Sequence, residues 1–251
     1  MEISSLGLLP VILVLVTIAI GAFIKGITGL GLPMFAIPAL ALFVPVETAV
    51  AVMALPSLAA NVGLVYAHRK QSAVIRGHRA FLLVGIAGVF AGTWFLARVE
   101  DWILRTVLIA WLGIYLIQQL RNSPQASSGS LRDRLSGIFG FCAGALQGAT
   151  GISAPVIAPY FHNRDLTIPQ YAFSVAFAFG LFTVVQLMAL SSVKIVTPEL
   201  LGYSALATLT TLVFIPLGVK LSGRLSRQTF DRILLATFAG IELKLIYDTF
   251  F

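Results

Sequence analysis

The stretch KGITGLGLP, residues 25–33, lies between two strongly apolar runs. The run before it is LLPVILVLVTIAIGAFI, and the run after it is MFAIPALALFV. A lysine, a threonine, three glycines and a proline here interrupt what otherwise reads as continuous membrane-helix sequence. The meaning of this interruption depends on whether the chain is surrounded by lipid.

The composition indicates a membrane protein. Of 251 residues, 58% are hydrophobic and 11% are charged, whereas a soluble domain carries about 25% charged residues. Apolar runs approach the length of about 20 residues that crosses a bilayer, and they do not alternate as barrel strands do. We therefore predict an all-α integral membrane protein.

Ten apolar segments are predicted along the chain. They are 8–24, 33–44, 46–67, 79–97, 102–119, 135–149, 154–161, 168–190, 199–219 and 229–247. Segments 33–44 and 154–161 are shorter than a full span, which favours half-helices, and they either cross or re-enter the membrane. The polar stretch RNSPQASSGSLRDR (121–134) separates a first repeat (1–120) from a second repeat (135–251) and is predicted to be a cytoplasmic linker.

The distribution of basic residues gives the orientation. With residues 68–79 in the cytoplasm, thirteen of the 17 Lys and Arg residues lie on the cytoplasmic side. The net charge of +7 is thereby explained by membrane orientation, and no nucleic-acid partner is expected. Both termini then lie on the non-cytoplasmic side.

The interrupting stretch occurs twice. KGITGLGLP (25–33) aligns with QGATGISAP (147–155) at an offset of 122 residues, and each copy precedes a short segment. Each half contains an odd number of segments, so the second half enters the membrane from the opposite side. The prediction is two inverted-topology repeats of about five helical segments each, with broken helices at the midplane, an arrangement typical of secondary transporters.

The two breaks are predicted to bind an anion. Irregular backbone survives at membrane depth only where protein or a cavity satisfies it, and each short helix directs unpaired N–H groups and a positive dipole end at its break. Two such ends meeting near the midplane would form an anion site. The predicted substrate-binding residues are Lys25, Gly26, Thr28, Gly29, Gly31, Gln147, Gly148, Thr150, Gly151 and Ser153.

Alternatives remain open for these residues. Small residues four apart also serve helix packing, and Lys25 can instead extend to the membrane surface. Ser57, Asn61 and Gln186 either line the cavity or form interhelical hydrogen bonds. The chain lacks the common soluble catalytic motifs, so we predict neither an enzyme nor a cofactor or metal site.

In the stretches FIKGITGLGLPMFAIPAL and LQGATGISAPVIAPYF the chain resembles the TauE/SafE family of sulfite exporter-like, toluene-sulfonate-uptake-type permeases. The second copy departs from the first, since Ser153 and Ala154 replace Gly31 and Leu32. The resemblance implies passage of small sulfur-containing anions, such as sulfite or organosulfonates, across a bacterial inner membrane.

The predicted function is therefore a secondary transporter for these anions, acting as an exporter. An inside-negative potential supplies about 2.3 kcal/mol per charge per 100 mV for anion export, so no coupled ion is required. The alternatives are a proton- or sodium-coupled importer of the same anions, or a membrane enzyme that uses Cys142, the single thiol. A homo-oligomer is left open.

Overall fold

The computed structural model describes residues 8–28, 31–120, 135–162, 164–221 and 227–251. Its α-helices are α1 (Leu8–Thr28), α2 (Leu32–Leu40), α3 (Val46–Ala67), α4 (Arg79–Leu96), α5 (Asp101–Leu120), α6 (Ser136–Thr150), α7 (Ala154–His162), α8 (Ile168–Ser192), α9 (Pro198–Leu221) and α10 (Arg227–Phe250). Each predicted apolar segment corresponds to one of these helices, which confirms the all-α prediction. The predicted loop 68–79 instead contains a 3-10 helix, Arg69–His78.

Within the described residues, four stretches are long and apolar enough to cross a membrane. They are Val46–Ala67, Arg69–Leu96, Ile168–Ser192 and Pro198–Leu221. By contrast, α2 and α7 have nine residues each. At about 1.5 Å per residue, neither reaches across a hydrocarbon core of about 30 Å.

The chain divides into two compact units, and each unit takes helices from both halves of the sequence. The first unit comprises Met1–Pro56, Val99–Ser123 and Pro198–Phe251, and the second comprises Ser57–Arg98 and Pro124–Thr197. The predicted linker 121–134 lies outside the described residues, and the division into two repeats stays a prediction.

A glycine seam joins α4 and α6 in the second unit. Its residues are Gly85, Gly88 and Gly92 on α4 and Gly140, Gly144 and Gly148 on α6. A Cβ atom built at Gly140, Gly144 or Gly148 would lie 2.1, 1.9 or 2.2 Å from the carbonyl oxygen of Phe81, Gly85 or Val89, respectively. The backbones therefore touch directly, as small residues allow in membrane helices. Since residue numbers rise together, the two helices run parallel.

A smaller glycine contact joins α1 and α9 in the first unit. A Cβ atom at Gly26 would lie 2.3 Å from the carbonyl oxygen of Ile215, and one at Gly218 would lie 2.2 Å from that of Phe23. Each helix thus needs a glycine where it meets the other.

A serine on α9 donates a hydrogen bond to a backbone carbonyl of α3 that lacks its usual partner within the helix. Pro56 lies inside α3 and has no N–H, so it cannot donate to the carbonyl of Val52. The hydroxyl of Ser204 donates to that carbonyl at 2.8 Å. A neighbouring side chain therefore satisfies the backbone group freed by proline, as lipid surroundings require.

An aromatic stack holds the C-terminal end of α7. The ring of Phe81 stacks on Tyr160 at 4.1 Å, and the Arg164 guanidinium lies over the same tyrosine at 4.6 Å. The Tyr160 hydroxyl lies 3.4 Å from Nδ1 of His78. These contacts position the end of α7 that lies away from the predicted break.

Candidate functional site

The second break lies between α6 and α7. Helix α6 ends at Thr150, and Gly151 follows with φ of 69°, a left-handed conformation that glycine adopts without strain. The Gly151 N–H donates to the carbonyl of Gln147 at 2.8 Å, which is the usual way such a residue terminates a helix. The chain turns here, and α7 begins at Ala154.

Thr150 is a predicted substrate-binding residue, and its hydroxyl forms hydrogen bonds with the backbone around this turn. Its Oγ1 donates to the carbonyl of Leu146 at 2.8 Å and accepts from the N–H of Ile152 at 3.2 Å. Thr150 is fully buried. In this structure the residue stabilises the turn, and direct contact with a ligand stays a prediction.

Three other predicted residues form one buried polar network. Nε2 of Gln147 donates to Oε1 of Gln186 at 2.9 Å, and Nε2 of Gln186 donates to the backbone carbonyl of Gln147 at 2.6 Å. The Ser153 hydroxyl donates to Oε1 of Gln147 at 2.6 Å. All three side chains are at most 3% exposed. The network connects α6, the break and α8, so Gln186 belongs with the break.

This network retains hydrogen-bonding capacity. A side-chain amide has two N–H donors. Among the residues that the structure describes, Nε2 of Gln147 and Nε2 of Gln186 each donate to one acceptor. One N–H on each glutamine therefore makes no hydrogen bond that the described residues show.

The start of α7 adds backbone polarity at the same place. The carbonyl of Ser153 accepts from the N–H groups of Val156 and Ile157 at 3.1 and 3.0 Å. Since these two N–H groups are already bonded and Pro155 has no N–H, the helix end contributes mainly the partial positive charge of its N-terminus. An anion is the ligand that such an end favours.

At the first break, the helix continues further than predicted. Helix α1 runs through Lys25 and Gly26 to Thr28, so these residues lie in regular helix. Gly31 has φ of 101° and precedes α2, where its carbonyl accepts from the N–H of Phe35 at 2.9 Å. The prediction for Gly29 and for the Thr28 side chain lies outside what the structure describes.

Lys25 is 7% exposed. This burial argues against a side chain extended into the solvent at a membrane surface. A role for Lys25 in anion binding stays a prediction.

The first glycine of each motif makes a packing contact of the same kind. A Cβ atom at Gly148 would meet the Val89 oxygen, the Thr93 nitrogen and Gly92 at 2.2, 2.6 and 3.0 Å. A Cβ atom at Gly26 would meet the Ile215 oxygen, Gly218 and the Val219 nitrogen at 2.3, 2.8 and 3.0 Å. The packing interpretation is thus supported for both glycines.

The side chain of Asn61 binds its own helix. Its Nδ2 donates to the backbone carbonyl of Ser57 at 2.8 Å, and both residues are buried. Asn61 also lies beside α8, because a Cβ atom at Gly180 would be 4.0 Å from the Asn61 Cβ. Lining of a cavity by Ser57 and Asn61 stays a prediction.

The described residues hold no group of three His, Cys, Asp or Glu side chains that could bind a metal ion. Residues 13–245 match the family model described as Sulfite exporter TauE/SafE. No curated protein and no solved structure matches the chain.

Proposed function

Because the chain belongs to the sulfite exporter TauE/SafE family, we propose that it is a secondary transporter that exports small sulfur-containing anions across a bacterial inner membrane. The substrate class is sulfite or organosulfonate-like. The match covers nearly the whole chain, and the four stretches able to cross a membrane agree with a multi-pass protein.

The main observation in support of the proposed binding site is the buried network of Gln147, Ser153 and Gln186. It brings buried amide N–H donors next to a helix N-terminus. Neutral donors and a helix end bind an oxyanion without neutralising it, so the anion remains able to leave. We assign the anion site to this second break.

Two contacts support the inverted arrangement. The glycine seam makes α4 and α6 parallel, as they must be if both cross from the cytoplasm outwards. In addition, Gly26 and Gly148 occupy equivalent motif positions. Gly26, in the first half, packs on α9 of the second half, and Gly148, in the second half, packs on α4 of the first half. An exchange of equivalent helices between halves is what a two-fold relation would produce.

Antiparallel packing of α5 and α10 agrees with the same topology. A Cβ atom at Gly113 would lie 2.8 Å from Oε1 of Glu242, while Tyr115 contacts Phe238 with ring centroids 5.6 Å apart. Residue numbers therefore rise along α5 as they fall along α10, as they do for helices that cross in opposite directions.

The test is a flux assay with purified protein in liposomes. Labelled sulfite is compared with sulfate, thiosulfate and short sulfonates, with imposed potentials of both signs. We expect sulfite flux that follows the potential without a proton or sodium gradient, and strongly reduced flux in Gln186→Leu. Flux that requires such a gradient would show ion coupling and favour the importer instead, and absence of flux for every sulfur anion would refute the proposal.

The variant Cys142→Ala separates transport from thiol chemistry. Cys142 is exposed on α6. We expect full flux in this variant, whereas an enzyme that uses the thiol would lose its activity.

A further inference from the structure

We propose that the hydroxyl of Thr93, on α4, is a further ligand of the transported anion at the second break. This inference rests on the proposed function, because it assigns one more donor to the same site.

The position of Thr93 is fixed by the glycine seam. Its backbone nitrogen lies 2.6 Å from the point that a Cβ atom of Gly148 would occupy. The preceding residue, Gly92, is equally close to α6, since its Cβ atom would lie 2.8 Å from the nitrogen of Ala149. Thr93 therefore lies level with the last turn of α6. The α6 residue that it meets, Gly148, is one residue from Gln147 and two residues from Thr150.

The hydroxyl of Thr93 is buried and has no hydrogen-bond partner among the described residues. The residue is 1% exposed. Leaving a buried hydroxyl without a hydrogen bond is unfavourable, so each such group requires an explanation. A bound anion would accept the hydrogen bond and remove that cost.

Three other buried threonines make a local hydrogen bond that Thr93 does not make. Thr150, Thr183 and Thr211 each donate to the carbonyl four residues earlier at 2.8 Å. For Thr93 that carbonyl belongs to Val89, and it faces α6 at Gly148. The Thr93 hydroxyl does not make this local bond, so its proton remains available to a ligand.

Packing alone does not demand a hydroxyl at this position. At the seam, Thr93 approaches Gly148 through its backbone nitrogen. At the corresponding contact with Gly26, the residue is Val219, which makes the same backbone contact while its side chain is 57% exposed. The hydroxyl of Thr93 thus lies at the seam contact beside the second break, where the glutamine network is found.

The three donors suit a sulfur oxyanion. Sulfite and sulfonates present three oxygen atoms, each able to accept hydrogen bonds. One N–H from Gln147, one from Gln186 and the O–H of Thr93 would supply neutral donors from three different helices. Hydrogen bonds to a charged acceptor are about twice as strong as neutral ones.

Sulfite affinity and flux in three variants test the inference. Thr93→Val removes the hydroxyl and keeps the shape, Thr93→Ser restores a hydroxyl, and Thr183→Val is the matched control because that hydroxyl already binds its own helix. We expect the affinity for sulfite to fall about 10- to 100-fold in Thr93→Val. Thr93→Ser should bind within a few-fold of wild type, and Thr183→Val should be unchanged.

Two outcomes are distinguished. If the wild type carries sulfite and a folded Thr93→Val binds it with unchanged affinity, the Thr93 assignment is wrong and the proposed function stands. If the wild type neither binds nor carries any sulfur anion, the proposed function fails and this inference fails with it. Should Thr93→Val not fold, Thr93→Ala supplies the same comparison.

Discussion

Replacing Gly144 by alanine tests the glycine seam most directly. The new Cβ atom would lie 1.9 Å from the carbonyl oxygen of Gly85, 2.8 Å from its carbonyl carbon and 2.9 Å from the nitrogen of Val89. All three are backbone atoms of α4, so no side-chain rotation relieves the clash. The helices must separate by about 1.1 Å before the closest contact reaches 3.0 Å.

The cost follows from that separation. A gap of about 0.5–1 Å forfeits a quarter to a half of the dispersion energy of the atoms involved, and overpacking of this kind costs about 1–3 kcal/mol. Alanine recovers at most about 1 kcal/mol through its helix propensity. We expect a net loss of about 1–2 kcal/mol, which for a chain of this size lowers Tm by about 2–8 °C.

The assay is thermal unfolding of the purified protein in detergent. Gly202→Ala is the matched control, because a Cβ atom there meets nothing within 4 Å, and this variant should be unchanged or slightly more stable. Equal melting temperatures for Gly144→Ala and Gly202→Ala would refute the reasoning that the α4 and α6 backbones touch.

Three further predictions concern topology, charge and backbone satisfaction. Cysteines introduced at Ala73 and Val196 in a cysteine-free protein should be labelled from opposite sides of the membrane; labelling from one side contradicts the inverted repeat. Lys25→Met tests whether the first break also contributes to binding, as the sequence predicts: calorimetric affinity should then fall more for divalent than for monovalent anions because Coulomb attraction scales with ligand charge, and unchanged affinity would confine the site to the second break. Ser204→Ala should lower unfolding stability by about 1–3 kcal/mol because the Val52 carbonyl loses its donor, and wild-type stability in a denaturant titration would contradict this.

The sequence predicted the helices closely because apolar length is a local property. The predicted segment 46–67 coincides with α3, and the short segment 154–161 matches α7 to within one residue. The predicted start of the first break was less accurate. Lys25 and Gly26 read as an interruption because of charge and glycine content, but α1 continues through them. Packing against α9 explains why a glycine stands at residue 26. Its contact there, Ile215, lies almost 190 residues further along the chain, so the sequence near Gly26 does not reveal it.

The candidate site was predicted in part. Gln147 and Ser153 were identified from the repeated motif, but their link to Gln186 depends on how α6 and α8 pack. The choice between cavity lining and interhelical bonding could not be made from residue type alone. Thr93 was missed because a single threonine in an apolar segment carries no distinguishing pattern. Its missing local hydrogen bond becomes visible only in three dimensions.

The exchange of helices between the halves has a consequence for biosynthesis. The residues that form the second unit end at Thr197, so α4 can pair with α6 and the unit can close before α9 is translated. Helix α1, by contrast, emerges first and meets α9 only after about 170 further residues, roughly 10–30 s at typical synthesis rates. During that interval Gly26 lacks its packing partner on α9. The second unit, built from the middle of the chain, can therefore assemble before the first unit has all its helices.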